Sequence, residues 1–208
     1  MNSPAEHFDS KAREWESNPV FQDRANKIAE AIRLAVPLDP SMTALDYGCG
    51  TGMLSFPLRN KLGQITLKDT STGMLEVLRE KIAAQSVTNM TVRQTDLIAE
   101  PLPDESYDLI FSSMTLHHIP NTEHIMGVFH TLLNPGGVLC IADMDEEDGS
   151  FHGAGVDVHY GFNRSALEEK ARSAGFGSVD FRTVFEIVKQ QDNCECAYPV
   201  FLMVARKT

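Results

Sequence analysis

The chain has 208 residues, of which 42% are hydrophobic and 23% charged, which is typical of a folded globular protein of ordinary domain size. Its net charge of -11 argues against nucleic acid as a partner, because a phosphate backbone attracts basic surfaces. No apolar run approaches the roughly 20 residues that a membrane span needs, and the first residues lack the pattern of a signal peptide. We therefore expect a cytoplasmic protein that acts on a small molecule. Its oligomeric state is not encoded in these features.

Two helices are predicted ahead of the first strand. Residues 5–17 place Phe8 and Trp15 on one face, and residues 20–36 repeat apolar side chains every three or four positions. A proline between them ends the first helix, since the residue before a proline is pushed out of helical geometry. We expect these helices, within residues 1–40, to form either an N-terminal cap or an outer layer on the sheet.

Strands and helices alternate in the middle of the chain, and a hairpin follows near the end. Apolar runs predict strands at residues 43–47, 65–69, 90–95, 107–113 and 138–143. Helices are predicted between them at residues 53–62, 72–86 and 121–133. A turn is predicted at residues 134–137, just before the fifth strand. After an irregular acidic segment at 144–161, the pattern predicts a helix at 164–174 and paired strands at 179–188 and 198–206.

This alternation places the chain in the α/β class. Strands separated by helices of this length pair in parallel through right-handed crossovers, so we expect a Rossmann-like, doubly wound sheet of seven strands with an antiparallel hairpin at one edge. A single domain is predicted over residues 1–208. Its parts are the cap, a ligand-binding core at 41–143 and a C-terminal part at 144–208.

A glycine-rich stretch, Leu45-Asp46-Tyr47-Gly48-Cys49-Gly50-Thr51-Gly52, lies at the first strand-to-helix turn. Glycine there permits a positive φ and removes the Cβ that would keep a ligand away from the backbone. A tight turn without any ligand would also use glycines, so this glycine loop does not identify a site by itself.

Polar residues at the ends of the other strands strengthen the case for a ligand site beside the glycine loop. Asp69 ends the second strand, nineteen positions after Gly50, where an acidic side chain can accept the hydroxyls of a ribose. Asp96 ends the third strand, and Ser113 ends the fourth. Because ligands bind at the carboxyl ends of strands in open α/β sheets, we expect these residues to line one site.

Together these segments resemble the class I S-adenosylmethionine-dependent methyltransferases, over nearly the whole chain. The glycine loop is similar to the first motif of that family, and Asp69-Thr70-Ser71-Thr72-Gly73-Met74-Leu75 resembles the second. The family's adenine-flanking pair resembles Asp96-Leu97, and its later motifs resemble residues 107–119 and 132–137. The segment from Phe8 to Trp15 is similar to an N-terminal stretch whose aromatic side chain closes over the cofactor.

A dinucleotide dehydrogenase is the main competing family. Its loop usually reads G-x-G-x-x-G, because a helix N-terminus must approach a pyrophosphate. Here the glycines stand at the alternate positions 48, 50 and 52. A methyl donor carries no pyrophosphate, so the complete set of motifs favours the methyltransferase family.

The resemblance implies S-adenosylmethionine as cofactor, with S-adenosylhomocysteine as its product, and it implies a role for each motif residue. Asp46 would orient the ammonium of the methionine end, Asp69 would bind the ribose, and Asp96 would bind the adenine amino group. For Trp15, ordinary helix packing is an equal alternative to a lid role. The cofactor-binding residues implied are Trp15, Asp46, Gly48, Gly50, Gly52, Asp69, Thr70, Asp96, Leu97 and Ser113.

The predicted function is methyl transfer by in-line displacement to an unidentified acceptor. The Asn-Pro-Pro-Tyr type of sequence found in many methyltransferases of nucleic acids and proteins is absent, and Ser112-Ser113-Met114-Thr115 stands in its place, which favours a small-molecule acceptor. A non-catalytic S-adenosylmethionine-binding or regulatory protein with the same fold is the alternative.

No catalytic base is identified by the motifs. His117 and His118 follow the fourth strand and His152 follows the fifth, so they are the candidates for a base or an acceptor contact. The acidic segment 143–152, with His152 and the nearby His159 and Tyr160, could bind a metal or a cationic substrate, but a solvated acidic loop explains it as well. No metal site is predicted.

Overall fold

The computed structural model describes residues 4–152, 157–191 and 194–208. Within these ranges, none of the helices combines the length and the apolar character needed to cross a membrane. The strands are β1 (Ala44–Tyr47), β2 (Ile65–Asp69), β3 (Met90–Gln94), β4 (Tyr107–Ser113), β5 (Leu133–Met144), β6 (Phe176–Gln191) and β7 (Cys194–Lys207). The α-helices are α1 (Pro4–Lys11), α2 (Pro19–Ala35), α3 (Ser55–Leu58), α4 (Thr72–Ala84), α5 (Thr122–Leu132) and α6 (Arg164–Ser173).

The seven strands form one sheet in the order β3-β2-β1-β4-β5-β7-β6. Strands β1 to β5 pair in parallel, whereas β7 runs antiparallel to both β5 and β6. The predicted fold class is therefore confirmed. The strand order reverses between β1 and β4, and at such a point the outgoing loops separate and leave a crevice for a ligand.

Helices cover both faces of the sheet. On one face, Ile28 and Ile32 of α2 and Leu78 of α4 are fully buried against the strands. On the other face, Ile125 and Phe129 of α5 are buried in a second cluster. Fully burying a side chain of this size stabilises the fold by about 1.5–3 kcal/mol, so these periodic positions hold the helices against the sheet.

The predicted helix at 53–62 is much shorter than expected. The structure has one α-helical turn in α3, followed by a 3-10 turn at Arg59–Lys61. Pro57 lies in the middle of α3, where it donates no backbone hydrogen bond. The helical composition of this stretch was therefore misleading about its length.

Further boundaries differ from the expected ones, and both hairpin strands are longer than predicted, at Phe176–Gln191 and Cys194–Lys207 rather than 179–188 and 198–206. The predicted helix at 5–17 divides into α1 and a 3-10 helix at Ala12–Ser17. Strand β5 begins at Leu133 rather than 138, because Leu133 already pairs with Tyr107 and a register shift absorbs the proline and glycines that follow. The predicted turn thus lies inside the strand as an irregularity.

Polar contacts attach the N-terminal cap to α4. Asp9 Oδ1 accepts hydrogen bonds from Ser71 Oγ at 2.5 Å and from the Gly73 amide at 2.8 Å. The guanidinium of Arg13 donates to both carboxylate oxygens of Glu80, at 3.2 and 3.1 Å. The cap therefore lies over the end of the sheet where the crevice opens.

Candidate active site

A cavity of about 440 Å³ lies between the N-terminal cap and the carboxyl ends of β1, β2 and β4. Its volume falls within the range of about 300–1,000 Å³ that is usual for small-molecule sites. Eight of the ten implied cofactor-binding residues line it, and Gly52 and Leu97 do not. The eight are Trp15, Asp46, Gly48, Gly50, Asp69, Thr70, Asp96 and Ser113.

The three glycines of the loop differ in what they leave room for. All three have positive φ, at +69° for Gly48, +52° for Gly50 and +78° for Gly52. A Cβ on Gly48 would lie 2.3 Å from Thr115, and one on Gly52 would lie 2.7 Å from Leu78, so these two glycines permit packing within the protein. Gly50 has open space on that side, with its nearest neighbour at 4.0 Å. Gly50 is therefore the position where a ligand can approach the backbone.

Thr51 supplies an unsatisfied polar atom beside that opening. Its Oγ1 is buried and has no hydrogen-bond partner in the part of the chain that the structure describes, and Thr51 lines the cavity. Leaving a buried hydroxyl unpaired costs about 1–3 kcal/mol. The open side of Gly50 and the hydroxyl of Thr51 together fit a polar ligand that lies along the loop.

Asp69 joins the end of β2 to the glycine loop. Its Oδ2 accepts from the Gly50 amide at 2.7 Å, and its Oδ1 accepts from the Ser71 amide at 2.9 Å. Burial raises the pKa of Asp69, while these backbone hydrogen bonds lower it, and the net shift is upward. A carboxylate has about four acceptor positions, so Asp69 retains capacity for two ribose hydroxyls.

Asp46 is almost completely buried, with 2% of its surface exposed. Burial raises its pKa to about 7, although Ser55 Oγ donates a hydrogen bond of 2.6 Å to its Oδ2. The neutral form of Asp46 is therefore favoured more than that of an exposed carboxyl group. A cationic ligand group placed against it would favour the ionised form.

After the end of β3, Asp96 and Ile98 line the cavity, whereas Leu97 does not. Asp96 lines the cavity and accepts from the Ile98 amide at 2.9 Å through Oδ1. Leu97 is buried in the core, with 1% of its surface exposed, and Ile98 lines the cavity instead. The turn that Asp96 stabilises directs the side chain of Ile98, rather than that of Leu97, towards the cavity.

Three aromatic rings of the cap lie over the cavity. Phe8 and Trp15 pack edge to face with centroids 5.7 Å apart, and Trp15 and Phe21 pack with centroids 4.8 Å apart. Phe8 also packs edge to face against His118 at 5.2 Å. Trp15 therefore packs within the cap and also lines the cavity, so its position is compatible with both helix packing and a lid role.

Arg24 is a cavity residue that the motifs did not single out. It is half-buried, lies over the Phe21 ring at 5.0 Å and is the one Arg or Lys among the described residues that line the cavity. Burial lowers its pKa to about 10, although Asp143 favours the charged form. In the described part of the chain it has no ion-pair partner. Its position three residues after Phe21, on the apolar face of α2, is the sequence signal that could have identified it.

The end of β4 turns sharply towards the cavity. Met114 has a φ of +55°, a left-handed conformation that is unfavourable by about 1–2 kcal/mol for a residue with a Cβ. Thr115 Oγ1 then lies 3.3 Å from the Gly48 carbonyl oxygen. Strained conformations of this kind cluster at functional sites. Here the strain directs Met114, Thr115 and His118 into the cavity wall.

The three candidate catalytic histidines meet in space, and we call His117, His118 and His152 the histidine cluster. Their ring centroids are 4.1 Å apart for His117 and His118, 5.0 Å for His117 and His152, and 5.8 Å for His118 and His152. Only His118 among them lines the cavity. No pattern in the sequence indicates that His152, 34 positions after His118, packs against the pair.

His117 is fixed by a buried carboxylate. Its Nδ1 lies 2.8 Å from Asp143 Oδ1, and its backbone amide donates to Oδ2 at 3.2 Å. Burial raises the pKa of Asp143, but the contacts with His117 and two backbone amides outweigh it, so the net shift is downward. Asp143 is therefore an ionised acceptor that sets the orientation of the His117 ring.

His152 is held by a loop that the edge hairpin supports. The ammonium of Lys189 in β6 donates to the Phe151 carbonyl oxygen at 2.6 Å, and Ser150 Oγ lies 2.7 Å from the Tyr198 hydroxyl of β7. Burial, followed by the proximity of His117, lowers the pKa of His152 to about 4. Its Nδ1 is buried and without a hydrogen-bond partner among the described residues.

The carboxylates of the acidic segment do not converge on one point. Asp145 pairs with Arg164 through two hydrogen bonds of 2.6 and 2.7 Å, and Asp148 and Glu147 accept backbone amides within their own loop. His159 Nε2 contacts the Ile119 carbonyl oxygen at 2.9 Å, and its backbone amide donates to the His117 carbonyl oxygen at 2.8 Å. The segment therefore uses its acidic side chains to shape the loop. One carboxylate oxygen, Glu147 Oε1, is buried without a partner in the described residues.

Known proteins share this architecture. A family model described as a methyltransferase domain matches residues 38–192. The chain is 28% identical over 156 residues to an uncharacterized methyltransferase of Schizosaccharomyces pombe, which covers 67% of this chain and 55% of that protein. It is 30% identical over 135 residues to trans-aconitate 2-methyltransferase of Paracidovorax citrulli, which covers 64% and 50%. The chain thus spans about half the length of these curated relatives.

A solved structure gives the same result for the fold. Phosphoethanolamine N-methyltransferase 2 of Haemonchus contortus, in complex with S-adenosyl-L-methionine, matches with a TM-score of 0.71 and 19% identity, over 86% of this chain and 52% of that one. Because the family model covers most of the chain, the resemblance seen in the motifs is confirmed. The chain belongs to the class I S-adenosylmethionine-dependent methyltransferases.

Proposed function

We propose that the chain transfers a methyl group from S-adenosylmethionine to a small-molecule acceptor by in-line displacement. The observation that carries the proposal is the meeting of three strand-end carboxylates, Asp46, Asp69 and Asp96, around one cavity beside the open backbone at Gly50. A ligand with an ammonium, a ribose and an adenine presents one matching group to each carboxylate.

Arg24 adds a basic group that matches the carboxylate of the cofactor. The methionine end of the cofactor carries a carboxylate, and Arg24 is a half-buried guanidinium without an ion-pair partner among the described residues. A charge-assisted hydrogen bond from Arg24 would satisfy both charges. In this arrangement Asp46 binds the ammonium and Arg24 binds the carboxylate of the same amino-acid group.

The residues of the chain then act by positioning. Bound S-adenosylmethionine supplies a methyl group on a positively charged sulfur, which is a good leaving group. The wall formed by Ser113, Met114 and Thr115 would align the acceptor, and the aromatic rings of the cap would exclude water. Proximity and orientation contribute about 7–11 kcal/mol in well-aligned systems, so positioning is the main contribution that we assign to these residues.

The enclosed shape of the site supports a small-molecule acceptor. The cap residues Phe8, Trp15 and Phe21 lie over the cavity, and the net charge of -11 disfavours nucleic acid. Relatives of the chain are named for small acceptors such as trans-aconitate. A cytoplasmic location agrees with this proposal and remains a prediction.

Turnover distinguishes this function from its alternative. The wild-type chain is incubated with S-adenosylmethionine and a panel of acceptors carrying thiols, hydroxyls, carboxylates and amines, and S-adenosylhomocysteine is measured. We expect acceptor-dependent product with at least one class. Cofactor binding without product from any class would favour a non-catalytic S-adenosylmethionine-binding protein, and absence of cofactor binding would contradict both.

A further inference from the structure

The histidine cluster has the composition and spacing of a cation site. The imidazole nitrogens that its three residues offer all lie within 4.8 Å of one another. In a tetrahedral site with metal–nitrogen bonds of about 2.0–2.1 Å, ligand nitrogens are about 3.3 Å apart. We propose that His117, His118 and His152 bind a divalent transition-metal cation of the Zn²⁺ type, with ring rotations closing the nitrogens by up to about 1.5 Å.

His117 is already oriented for such a role. His117 Nδ1 lies 2.8 Å from Asp143 Oδ1, and we assign the ring proton to Nδ1 because a carboxylate oxygen is the acceptor in such a contact. The lone pair is then on Nε2, on the opposite side of the ring. Metal-binding histidines commonly donate their second nitrogen to a carboxylate in this way, which fixes the tautomer and increases ligand basicity.

His152 provides an independent observation. Its Nδ1 is buried and has no hydrogen-bond partner among the described residues, although the loop that carries it is anchored to the edge hairpin. An unpaired buried nitrogen destabilises the folded state by about 1–3 kcal/mol. A cation bound by the cluster would give His152 a partner and offset this cost.

The ligand set indicates the class of metal. Imidazole nitrogen suits Zn²⁺, Co²⁺, Ni²⁺ and Cu²⁺, whereas Mg²⁺ and Ca²⁺ require oxygen ligands. The carboxylate of Asp143 contacts His117 rather than joining the three offered nitrogens. Three protein ligands leave one tetrahedral position open, which is the pattern of catalytic rather than structural zinc sites.

The position of the cluster suggests what the open position would hold, and this part of the inference rests on the proposed methyl transfer. His118 lines the cavity, so a cation in the cluster would border the space for the acceptor. A thiol or hydroxyl bound to the cation would lose its proton to solvent and remain as the anion. Its lone pair would form the new bond to the methyl carbon, while the carbon–sulfur bond of the cofactor breaks and its electron pair stays on sulfur.

Metal binding is measured on the full chain without cofactor or acceptor, so its result is independent of the proposed function. The protein is treated with EDTA, dialysed and titrated with Zn²⁺ by calorimetry, and with Co²⁺ by visible absorption. We expect one cation per chain and the intense d–d bands of a four- or five-coordinate Co²⁺ site. His152→Phe keeps an aromatic ring against Phe151 and should weaken binding at least 100-fold.

Two variants separate the cluster from other histidines. His124→Phe makes the same substitution at an exposed histidine of α5, and its cation affinity should equal that of the wild type. Asp143→Asn changes the positioning residue and should reduce Zn²⁺ affinity about 10–100-fold while S-adenosylhomocysteine binding is retained. Wild-type protein that binds no cation, or a His152→Phe variant that binds it equally well, would overturn the site.

The open position has its own test. We expect 2-mercaptoethanol, added to the Co²⁺ form with S-adenosylhomocysteine present, to produce a near-ultraviolet thiolate-to-metal charge-transfer band. One bound Co²⁺ without this band would overturn the assignment of the open position to the acceptor. Failure of S-adenosylhomocysteine to bind, with the cation site intact, would instead contradict the proposed function.

Discussion

The two walls of the cavity are built in different ways. The cofactor wall consists of the glycine loop and single residues at the ends of the neighbouring strands, and Asp69 ties these parts together through the Gly50 amide. The acceptor wall combines the cap with the turn after β4, and the loop after β5 packs behind that turn through His152; these segments are far apart in the chain. The comparison shows that the cofactor wall is built from local sequence motifs, whereas the acceptor wall is built from segments that are distant in the sequence.

This difference predicts that cofactor binding is most sensitive to the strand-end carboxylate. Asp69→Ala removes an acceptor for the Gly50 and Ser71 amides and the proposed ribose contact. Since hydrogen bonds to charged groups contribute about 1.5–3 kcal/mol each, we expect S-adenosylhomocysteine affinity to fall at least about 100-fold in calorimetry. Asp104→Ala, at an exposed carboxylate, is the control. Unchanged affinity in Asp69→Ala would show that the ribose binds elsewhere.

Arg24 tests whether the cap contributes to the cofactor wall. Arg24→Met keeps the apolar stem but removes the charge, and we expect S-adenosylhomocysteine affinity to fall about 10- to 30-fold, as for loss of one charge-assisted contact. Arg24→Lys should recover part of the affinity. The control ligand for both variants is 5′-methylthioadenosine, which lacks the amino-acid group that Arg24 is proposed to bind. If its affinity falls as much as that of S-adenosylhomocysteine, Arg24 does not bind the carboxylate.

The raised pKa of Asp46 leads us to expect that cofactor binding depends on pH. Burial raises its pKa to about 7, so the carboxylate is protonated below this pH and ionised above it. The ammonium of the ligand requires the ionised form. We therefore expect S-adenosylhomocysteine affinity to rise with pH between 6 and 8, by up to about tenfold per unit below the pKa, with release of a proton on binding.

The control for this pH profile is Asp46→Asn, which should bind weakly and with little pH dependence over the same range. Binding of 5′-methylthioadenosine to the wild type should also be nearly constant. A profile that falls with rising pH, or one that persists in Asp46→Asn, would contradict the assigned role.

The smallest expected effect concerns the contact between the cap and α4. A Cβ at Gly73 would lie 2.9 Å from the backbone of Asp9, although alanine favours a helix by about 1 kcal/mol over glycine. Gly73→Ala should therefore displace the cap from α4, increase hydrogen exchange in the cap and raise the S-adenosylhomocysteine Kd about threefold. Gly127→Ala in α5 meets nothing within 4 Å and is the matched control. Equal exchange in both variants would argue against a closing role for the cap.

The sequence predicted the sheet and the cofactor wall because their signals are local. Apolar runs, glycines at alternate positions and acidic residues such as Asp69 at strand ends each identify their own position. The sequence does not show which of the neighbouring side chains Leu97 and Ile98 faces the cavity, because a turn stabilised by Asp96 decides it, and the role of Leu97 in cofactor binding stays a prediction.

The acceptor wall was predictable only in part. His117 and His118 were recognised from their place after a strand, but their contact with His152 depends on how the edge hairpin supports a distant loop. Arg24 was hidden because charged residues on a helix are usually solvated, and its burial beside Phe21 results from packing of the cap. Such contacts arise from tertiary structure and leave no signal at a single position.

The proposed cofactor site is tested most directly by a crystal structure of the chain with S-adenosylhomocysteine bound. We expect ribose hydroxyls within hydrogen-bond distance of Asp69, the ammonium at Asp46 and the carboxylate at Arg24, with the sulfur facing the wall of Ser113 and Thr115. A ligand bound in the reverse direction, or outside this cavity, would contradict it.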